Sequence, residues 1–452
     1  MLNPEIFRQY DIRGIAGKDM NEEDVVVLGK GIGTYLQKQG HSYVAVGRDC
    51  RLTSDTYAER LMEGLTATGC RVVDIGMCPT PVSYFAIRHL ETQGGVMVTA
   101  SHNPAEYNGF KICSGVDSVY GEQIQQIRKL IEGGDFHQGQ GRIETYEILP
   151  PYVEHVLDNI SLKRPLRVGV DAGNGTGGMT AVPILANLDC ELHELYTDPD
   201  GTFPNHEADP TVAGNMQDLI GLVKEKQLDV GIGYDGDADR IGVVDADGSL
   251  IYGDQLMILF SREILSRKPG ATFISEVKCS QTMYDDITKN GGKAIMWKTG
   301  HSMIKQKMKE VQADLAGEMS GHIFFADRYF GYDDAVYATC RLLEILADTG
   351  KTIGQLLADV PKTYNTPEIR VDMPDNVKFE VVAQVTDYFR QRENVIDIDG
   401  VRVLFDDGWG LVRASNTQPA LVLRFEALSE KRLSEIRRIV ESALEKIRKQ
   451  VV

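Results

Sequence analysis

The 452-residue sequence is short of several features, and each shortage removes a class of function. It has no basic block: 48 Lys and Arg stand against 66 Asp and Glu, for a net charge of −18. Nucleic acids and anionic membrane surfaces are recognised by clustered positive charge, so neither is expected as a partner. Small anionic substrates stay open, because they respond to the local field of a cleft rather than to total charge. No apolar stretch approaches the roughly 20 residues of a membrane-spanning helix. The opening Met1-Leu2-Asn3-Pro4-Glu5 has neither a basic segment nor an apolar one, so no signal peptide is expected. Paired cysteine spacing is missing too. Cys50, Cys70, Cys78, Cys113, Cys190, Cys279 and Cys340 are scattered, as in a cytoplasmic protein whose thiols are reduced and mostly buried.

What is present is a globular composition, 42% hydrophobic with 45 glycines, on a chain long enough for about three or four domains. Short β-branched runs alternate with helical patterns, which predicts α/β architecture with largely parallel strands. The alternation has a longer period. First strands with their loops are read at residues 44–49, 167–171 and 272–277, and second strands at 72–76, 191–196 and 294–297. Third strands run into polar loops at 96–101, 231–239 and 315–322, which predicts three similar units sharing one cleft beyond their strand ends. Boundaries are expected at Leu149-Pro150-Pro151, near Asp247-Gly248 and at Val360-Pro361-Lys362. A smaller final region is read as strands at 396–398, 401–405, 411–413 and 421–427, then a helix over 430–448 whose Leu433, Ile436, Val440 and Leu444 form a packing face.

Thr99-Ala100-Ser101-His102-Asn103-Pro104 ends the apolar strand Gly95-Val96-Met97-Val98 with an exposed serine in a polar turn that Asn103-Pro104 enforces. Such a serine is a nucleophile or phosphoryl carrier, or else an ordinary capping residue. In Tyr234-Asp235-Gly236-Asp237-Ala238-Asp239-Arg240, three carboxylates at alternating positions can converge on a hard cation such as Mg²⁺. A calcium EF-hand fails here, because Arg240 and Ala246 stand where that loop needs Gly and Glu. Carboxylates at a buried strand end need neutralising, which favours a metal over a solvated acidic turn.

Arg413-Ala414-Ser415-Asn416-Thr417-Gln418-Pro419 puts a guanidinium beside hydroxyl, amide and backbone donors, a set that suits a phosphate dianion better than a plain hairpin does. Lys298-Thr299-Gly300-His301 and Glu318-Met319-Ser320-Gly321-His322 close strands with groups able to bond sugar hydroxyls, and Phe7 to Gly14 puts Tyr10 and Arg13 in a turn-rich stretch. A rival lies in Gly173-Asn174-Gly175-Thr176-Gly177-Gly178, a literal G-x-G-x-x-G after a strand, which would suggest an NAD-dependent dehydrogenase. The acidic residue that should end the next strand is misplaced: Glu191 and Glu194 lie within it and Asp198 comes late.

Taken together, the serine, carboxylate, sugar and phosphate loops resemble the α-D-phosphohexomutase family, in its phosphomannomutase/phosphoglucomutase branch, in order and spacing over nearly the whole chain. The resemblance implies three similar α/β mixed-sheet domains plus a mobile C-terminal α+β cap around a central cleft. The domains would span residues 1–148, 149–249, 250–361 and 362–452. It implies phosphorylation of Ser101, and Mg²⁺ held by Asp235, Asp237 and Asp239 together with a phosphoryl oxygen on Ser101. It makes Glu318 and Ser320 a grip on sugar hydroxyls, and Arg413, Ser415, Asn416 and Thr417 a grip on the non-reacting phosphate. Tyr10, Arg13, Lys111, Arg240, Lys278, His301 and His322 match further cleft positions.

The implied reaction interconverts hexose 1-phosphate and hexose 6-phosphate of mannose or glucose through a hexose 1,6-bisphosphate that turns around in the site. Glucose 1,6-bisphosphate or its mannose counterpart would act as activator. Arg13 and Lys111 would neutralise charge, and His322 or Lys111 would take the proton of the attacking hydroxyl. A phosphoglucosamine mutase of the same family is the alternative, with Met319 leaning towards mannose and glucose; a metal-dependent phosphatase is the alternative from another class. A monomer or weak homodimer is expected.

Overall fold

The computed structural model describes residues 2–416 and 418–451, so Thr417 lies outside the described residues. The described residues build four sheets, of seven, five, four and six strands. The first three share one arrangement. In each, a central strand pairs in parallel with the second and third strands, and a fourth runs antiparallel beside the third. In the first sheet these are Tyr43–Arg48, Arg71–Met77, Gly94–Val98 and Tyr107–Ser114. In the second they are Arg167–Asp171, Glu191–Leu195, Val230–Tyr234 and Ile241–Asp245. In the third they are Thr272–Glu276, Lys293–Trp297, Leu315–Gly317 and Ile323–Phe325. The expected repeat is therefore a repeat of topology. It is faint in sequence because the shared demand on a strand buried on both faces is only that it be apolar and β-prone. Gly94–Val98 and Val230–Tyr234 are buried throughout.

One hydrophobic core runs through the first three units, from Ala45 and Phe85 through Tyr152 and Val170 to Phe325 and Ile353. The last unit has a core of its own, in which helix Asp375–Arg390 and helix Glu430–Val451 cover a sheet that includes strands Val401–Phe405, Gly408–Ala414 and Ala420–Ala427. The expected packing face of the closing helix is there, with Ile436, Val440 and Leu444 buried. The strand expected at 396–398 lies earlier, at Asn394–Ile396. Asp399 and Gly400 pull the following residues into a turn, with Gly400 at φ +78°.

The cap is seated on the third unit by buried arginines. Arg402 donates to the carbonyls of Val277 and Cys279, both at 2.8 Å, and Arg424 donates to that of Lys278 at 2.7 Å. Val277, Trp409 and Leu411 form a small apolar cluster at the same junction. Among the described residues, no helix is long and apolar enough to cross a membrane.

Candidate active site

Each of the three repeated units ends its third strand in a loop carrying polar chemistry, and the three loops meet. Ser101 follows Gly94–Val98, the aspartates follow Val230–Tyr234, and Glu318 follows Leu315–Gly317. Ser101 is at φ +52°, a left-handed conformation that costs a residue with a side chain roughly 1–2 kcal/mol. The surrounding contacts hold it there. Its N–H donates to Thr99 Oγ1 at 2.9 Å, and Arg51 donates to four carbonyls of the turn: Ser101 and Asn103 (2.7 and 2.6 Å), Pro104 and Tyr107 (2.6 and 3.0 Å). The serine was expected to be exposed; it is only 3% exposed, because the carboxylate loop of the second unit lies over it. Its Oγ donates to Asp235 Oδ2 at 2.8 Å and lies 3.1 Å from His102 Nδ1.

The three aspartates are buried, and each has a carboxylate oxygen within 4.8 Å of the others. Burial, reinforced by Asp239 and Asp237, pushes the carboxyl of Asp235 well above the usual range. Asp237 Oδ2 accepts from Lys111 Nζ (2.6 Å), Thr80 Oγ1 (2.5 Å) and Thr99 Oγ1 (3.2 Å), while its Oδ1 is buried with no hydrogen-bond partner. An oxygen-only donor set, crowded negative charge and an orphaned carboxylate oxygen fit a hard divalent cation.

From Asp239 the network passes into the third unit. Lys111 donates to Asp239 Oδ2 at 2.5 Å, and His322 Nε2 lies 3.1 Å from Asp239 Oδ1 while its Nδ1 lies 2.8 Å from Glu318 Oε2. Burial disfavours a charged imidazole, but Asp239 and Glu318 outweigh it and raise His322 to about 10. Lys111 is raised by Asp237 and Asp239 against the same burial penalty. Arg240 reaches His322 Nε2 at 3.3 Å and Asp235 Oδ2 at 3.9 Å. His301 packs 5.7 Å from the His322 ring, its Nδ1 3.7 Å from Asp333 Oδ2; burial, then Lys305 and Lys111, hold it well below the usual histidine range.

The remaining expected residues line the same region. Arg13 donates to Asn103 Oδ1 of the serine loop at 2.6 Å and to Asp11 Oδ2 at 2.5 Å. Lys278 lies between Glu276 (3.5 Å) and Glu368 (3.2 Å). Tyr10 donates to the Thr299 carbonyl at 2.9 Å and accepts from Asn416 Nδ2 at 2.8 Å, which ties the first unit to both the third and the cap. Arg413 Nε donates to Asp399 Oδ2 at 2.9 Å. Buried Lys378 holds this loop from behind, donating to the carbonyls of Ser415 (2.5 Å) and Gln418 (3.0 Å). Ser320 is half-buried, two positions beyond Glu318.

Sequence reasoning missed Arg51, Thr80, Glu276, Asp333, Lys378 and Asp399. Arg51 sits just past a recognised strand, but nothing local says that its guanidinium turns back onto a loop fifty residues away. The Gly-rich stretch has a structural use. Thr176 N–H donates to the Gly236 carbonyl at 3.0 Å, and a Cβ on Gly175 would lie 2.6 Å from that oxygen. The glycines let the loop press against the carboxylate-loop backbone, so the stretch is accounted for without a dinucleotide.

The comparisons with known proteins run the length of the chain. Residues 4–138 match the family described as phosphoglucomutase/phosphomannomutase, alpha/beta/alpha domain I; 150–248 match domain II, 252–364 domain III, and 368–443 the C-terminal domain. A Pseudomonas putida protein named phosphomannomutase/phosphoglucomutase is 46% identical over 444 residues, covering 98% of this chain and 96% of that one. A Neisseria meningitidis phosphoglucomutase is 42% identical over 448 residues, covering 98% and 97%. A solved phosphoglucomutase/phosphomannomutase family protein from Burkholderia thailandensis superposes with a TM-score of 0.94 at 42% identity, covering 99% and 98% of the two chains. With its three topologically alike units, a cap, and a serine and aspartate triad at matching strand ends, the chain belongs to the phosphoglucomutase/phosphomannomutase family.

Proposed function

We propose that the protein is a phosphohexomutase, an isomerase that interconverts the 1- and 6-phosphates of glucose and/or mannose through a phosphoserine at Ser101 and a hexose 1,6-bisphosphate. The observation that carries this reading is the hydrogen bond from Ser101 Oγ to Asp235 Oδ2, which puts a serine against a buried carboxylate triad. In this reading residues 1–148 present the nucleophile, 149–249 the metal ligands, 250–361 the sugar grip and 362–452 the phosphate grip. The seven free cysteines, six of them buried, support a reducing compartment such as the cytoplasm.

A divalent cation on Asp235, Asp237 and Asp239, with Mg²⁺ as the expected ion, would draw charge from the transferring phosphoryl group. The residues of the chain do the rest. Arg51 and Thr99 fix the serine turn, so that Ser101 Oγ is held against Asp235 before substrate arrives. Arg13 and Lys111 place positive charge beside the serine loop and the triad. His322 and Lys111 both stand protonated at neutral pH, ready to donate to an oxygen as its phosphoryl group leaves. The group that gives up its proton to the leaving oxygen takes one back from the attacking hydroxyl within the same half-reaction, so each transfer is proton-neutral. In the first half the phosphoryl passes from Ser101 to the sugar; in the second, the other phosphoryl of the bisphosphate returns to Ser101. Glu318 and Ser320 hold sugar hydroxyls, while Arg413, Ser415, Asn416 and Thr417 hold the idle phosphate.

³¹P NMR of the protein with Mg²⁺, trace glucose 1,6-bisphosphate and, separately, glucose, mannose or glucosamine 1-phosphate tests this reading. Conversion of the first two to 6-phosphates is expected. Conversion of the glucosamine compound alone would move the protein to a sibling specificity, and release of inorganic phosphate alone would make it a phosphatase.

A further inference from the structure

We propose that Asp399 is a positioning residue that registers the phosphate-gripping Arg413 against the sugar loop of the third unit. The inference rests on the reading of Arg413 as a phosphate ligand. Asp399 sits in the turn between strands Asn394–Ile396 and Val401–Phe405. Its neighbour Gly400 lies so close to the adjacent strand that a Cβ there would come within 2.3 Å of the Val412 carbonyl and 2.7 Å of Arg413 Cα. That approach brings Asp399 Oδ2 to 2.9 Å from Arg413 Nε. A guanidinium is planar, so holding Nε sets the plane of the whole group and leaves its Nη edge as the fork presented to a phosphate.

The same carboxylate oxygen also accepts from across the cleft, from the Thr299 N–H at 3.1 Å. The next amide, Gly300 N–H, donates to Glu318 Oε1 at 2.7 Å. Two consecutive amides of one loop thus hold the carboxylate behind the phosphate fork and the carboxylate that grips the sugar. The Thr299 residue is pinned in turn: its hydroxyl donates to Glu276 Oε2 at 2.6 Å and its carbonyl accepts from Tyr10. Asp399 therefore carries the position of the sugar loop to Arg413 and sets the spacing between the two grips on a hexose phosphate.

Kinetics on Asp399→Ala, Arg413→Ala and the double variant test the inference, with thermal melting of each. Asp399→Ala is expected to raise KM for glucose 1-phosphate about tenfold, the order of one charge-assisted hydrogen bond, while kcat stays within about threefold. On the Arg413→Ala background the same change should add less than about twofold, because a residue acting through Arg413 has nothing left to aim. Asp399→Asn, which keeps an acceptor oxygen in place, should recover most of the loss. An unchanged KM in Asp399→Ala, or the same penalty with and without Arg413, overturns the inference. If Arg413→Ala alone leaves KM unchanged, the phosphate reading of Arg413 has failed and the inference falls with it, a result distinct from the other two. Should the alanine variant melt early, Asp399→Ser takes its place in the cycle.

Discussion

Ser101 Oγ and Asp235 Oδ2 are 2.8 Å apart although 134 positions separate the residues in the chain. The bond joins the first repeated unit to the second at equivalent strand ends, so neither unit carries the site alone. Ser101→Ala is expected to lower turnover by at least about 10³-fold while leaving the melting temperature within a few degrees. Loss of ³²P incorporation from labelled glucose 1,6-bisphosphate would accompany it; a variant that still turns over removes Ser101 as the carrier.

Crowded carboxylates make the triad a place where a cation should stabilise the fold as well as support turnover. EDTA is expected to silence the enzyme and Mg²⁺ to restore it. Saturation at about 100 times the dissociation constant should add about 2.7 kcal/mol of stability, visible in melts with and without the ion. Asp237→Asn should weaken calorimetric Mg²⁺ binding; metal-independent melting and activity would contradict the assignment.

Arg51 is buried and its guanidinium serves four carbonyls of the serine turn, a fan that an ammonium cannot reproduce. Arg51→Lys should cost about 2–3 kcal/mol in urea melts from unsatisfied buried carbonyls. It should also depress kcat more than KM, since the serine and not the sugar grip is displaced.

Gly175 lies against the backbone of Gly236, within the run of the three aspartates. Gly175→Ala is expected to destabilise the protein by about 1–3 kcal/mol through overpacking and to weaken Mg²⁺ binding by moving the metal loop. Calorimetry with Mg²⁺ and with NAD checks both ideas at once, because a dinucleotide site would bind NAD in the unaltered protein and lose it in the variant.

Asp334 caps helix Ala335–Thr349 from a buried position, accepting from Tyr152, Tyr329 and the Tyr337 N–H. Burial raises its carboxyl from 3.8 to about 6 despite those bonds. A raised folded-state value means that the folded protein binds the proton more tightly than the unfolded chain. The associated stability is therefore complete below about pH 4 and lost as pH climbs through about 6. Relative to Asp334→Asn, the wild type should lose about 2 kcal/mol between pH 4.5 and 7, measured as the difference between their urea midpoints at the two pH values.

Much of this was legible in sequence. The short apolar, β-branched strands, the Asn103-Pro104 turn and the alternation of aspartates with Gly and Ala are local signals, and the structure puts each where the pattern placed it. The strand read at 396–398 shifted because Asp399-Gly400 prefers a turn, and hydropathy does not weigh that preference. The glycine-rich stretch is ambiguous in sequence, since glycine permits close approach to a ligand or to another loop alike; the structure sets Gly175 against the Gly236 backbone.

Which segments become strands, where the chain turns, and which loops carry the serine, the carboxylates and the Arg-Ser-Asn run follow from side-chain chemistry and neighbours a few residues away. That Arg51 turns back onto the serine loop, that Lys111 lies between two aspartates of another unit, that Ser101 is covered rather than exposed, and that Asp399 sits behind Arg413 depends instead on how the folded units pack. The reason is physical: those contacts join residues tens to hundreds of positions apart, and their geometry is set when apolar faces of separate units pack, an outcome that no local propensity encodes.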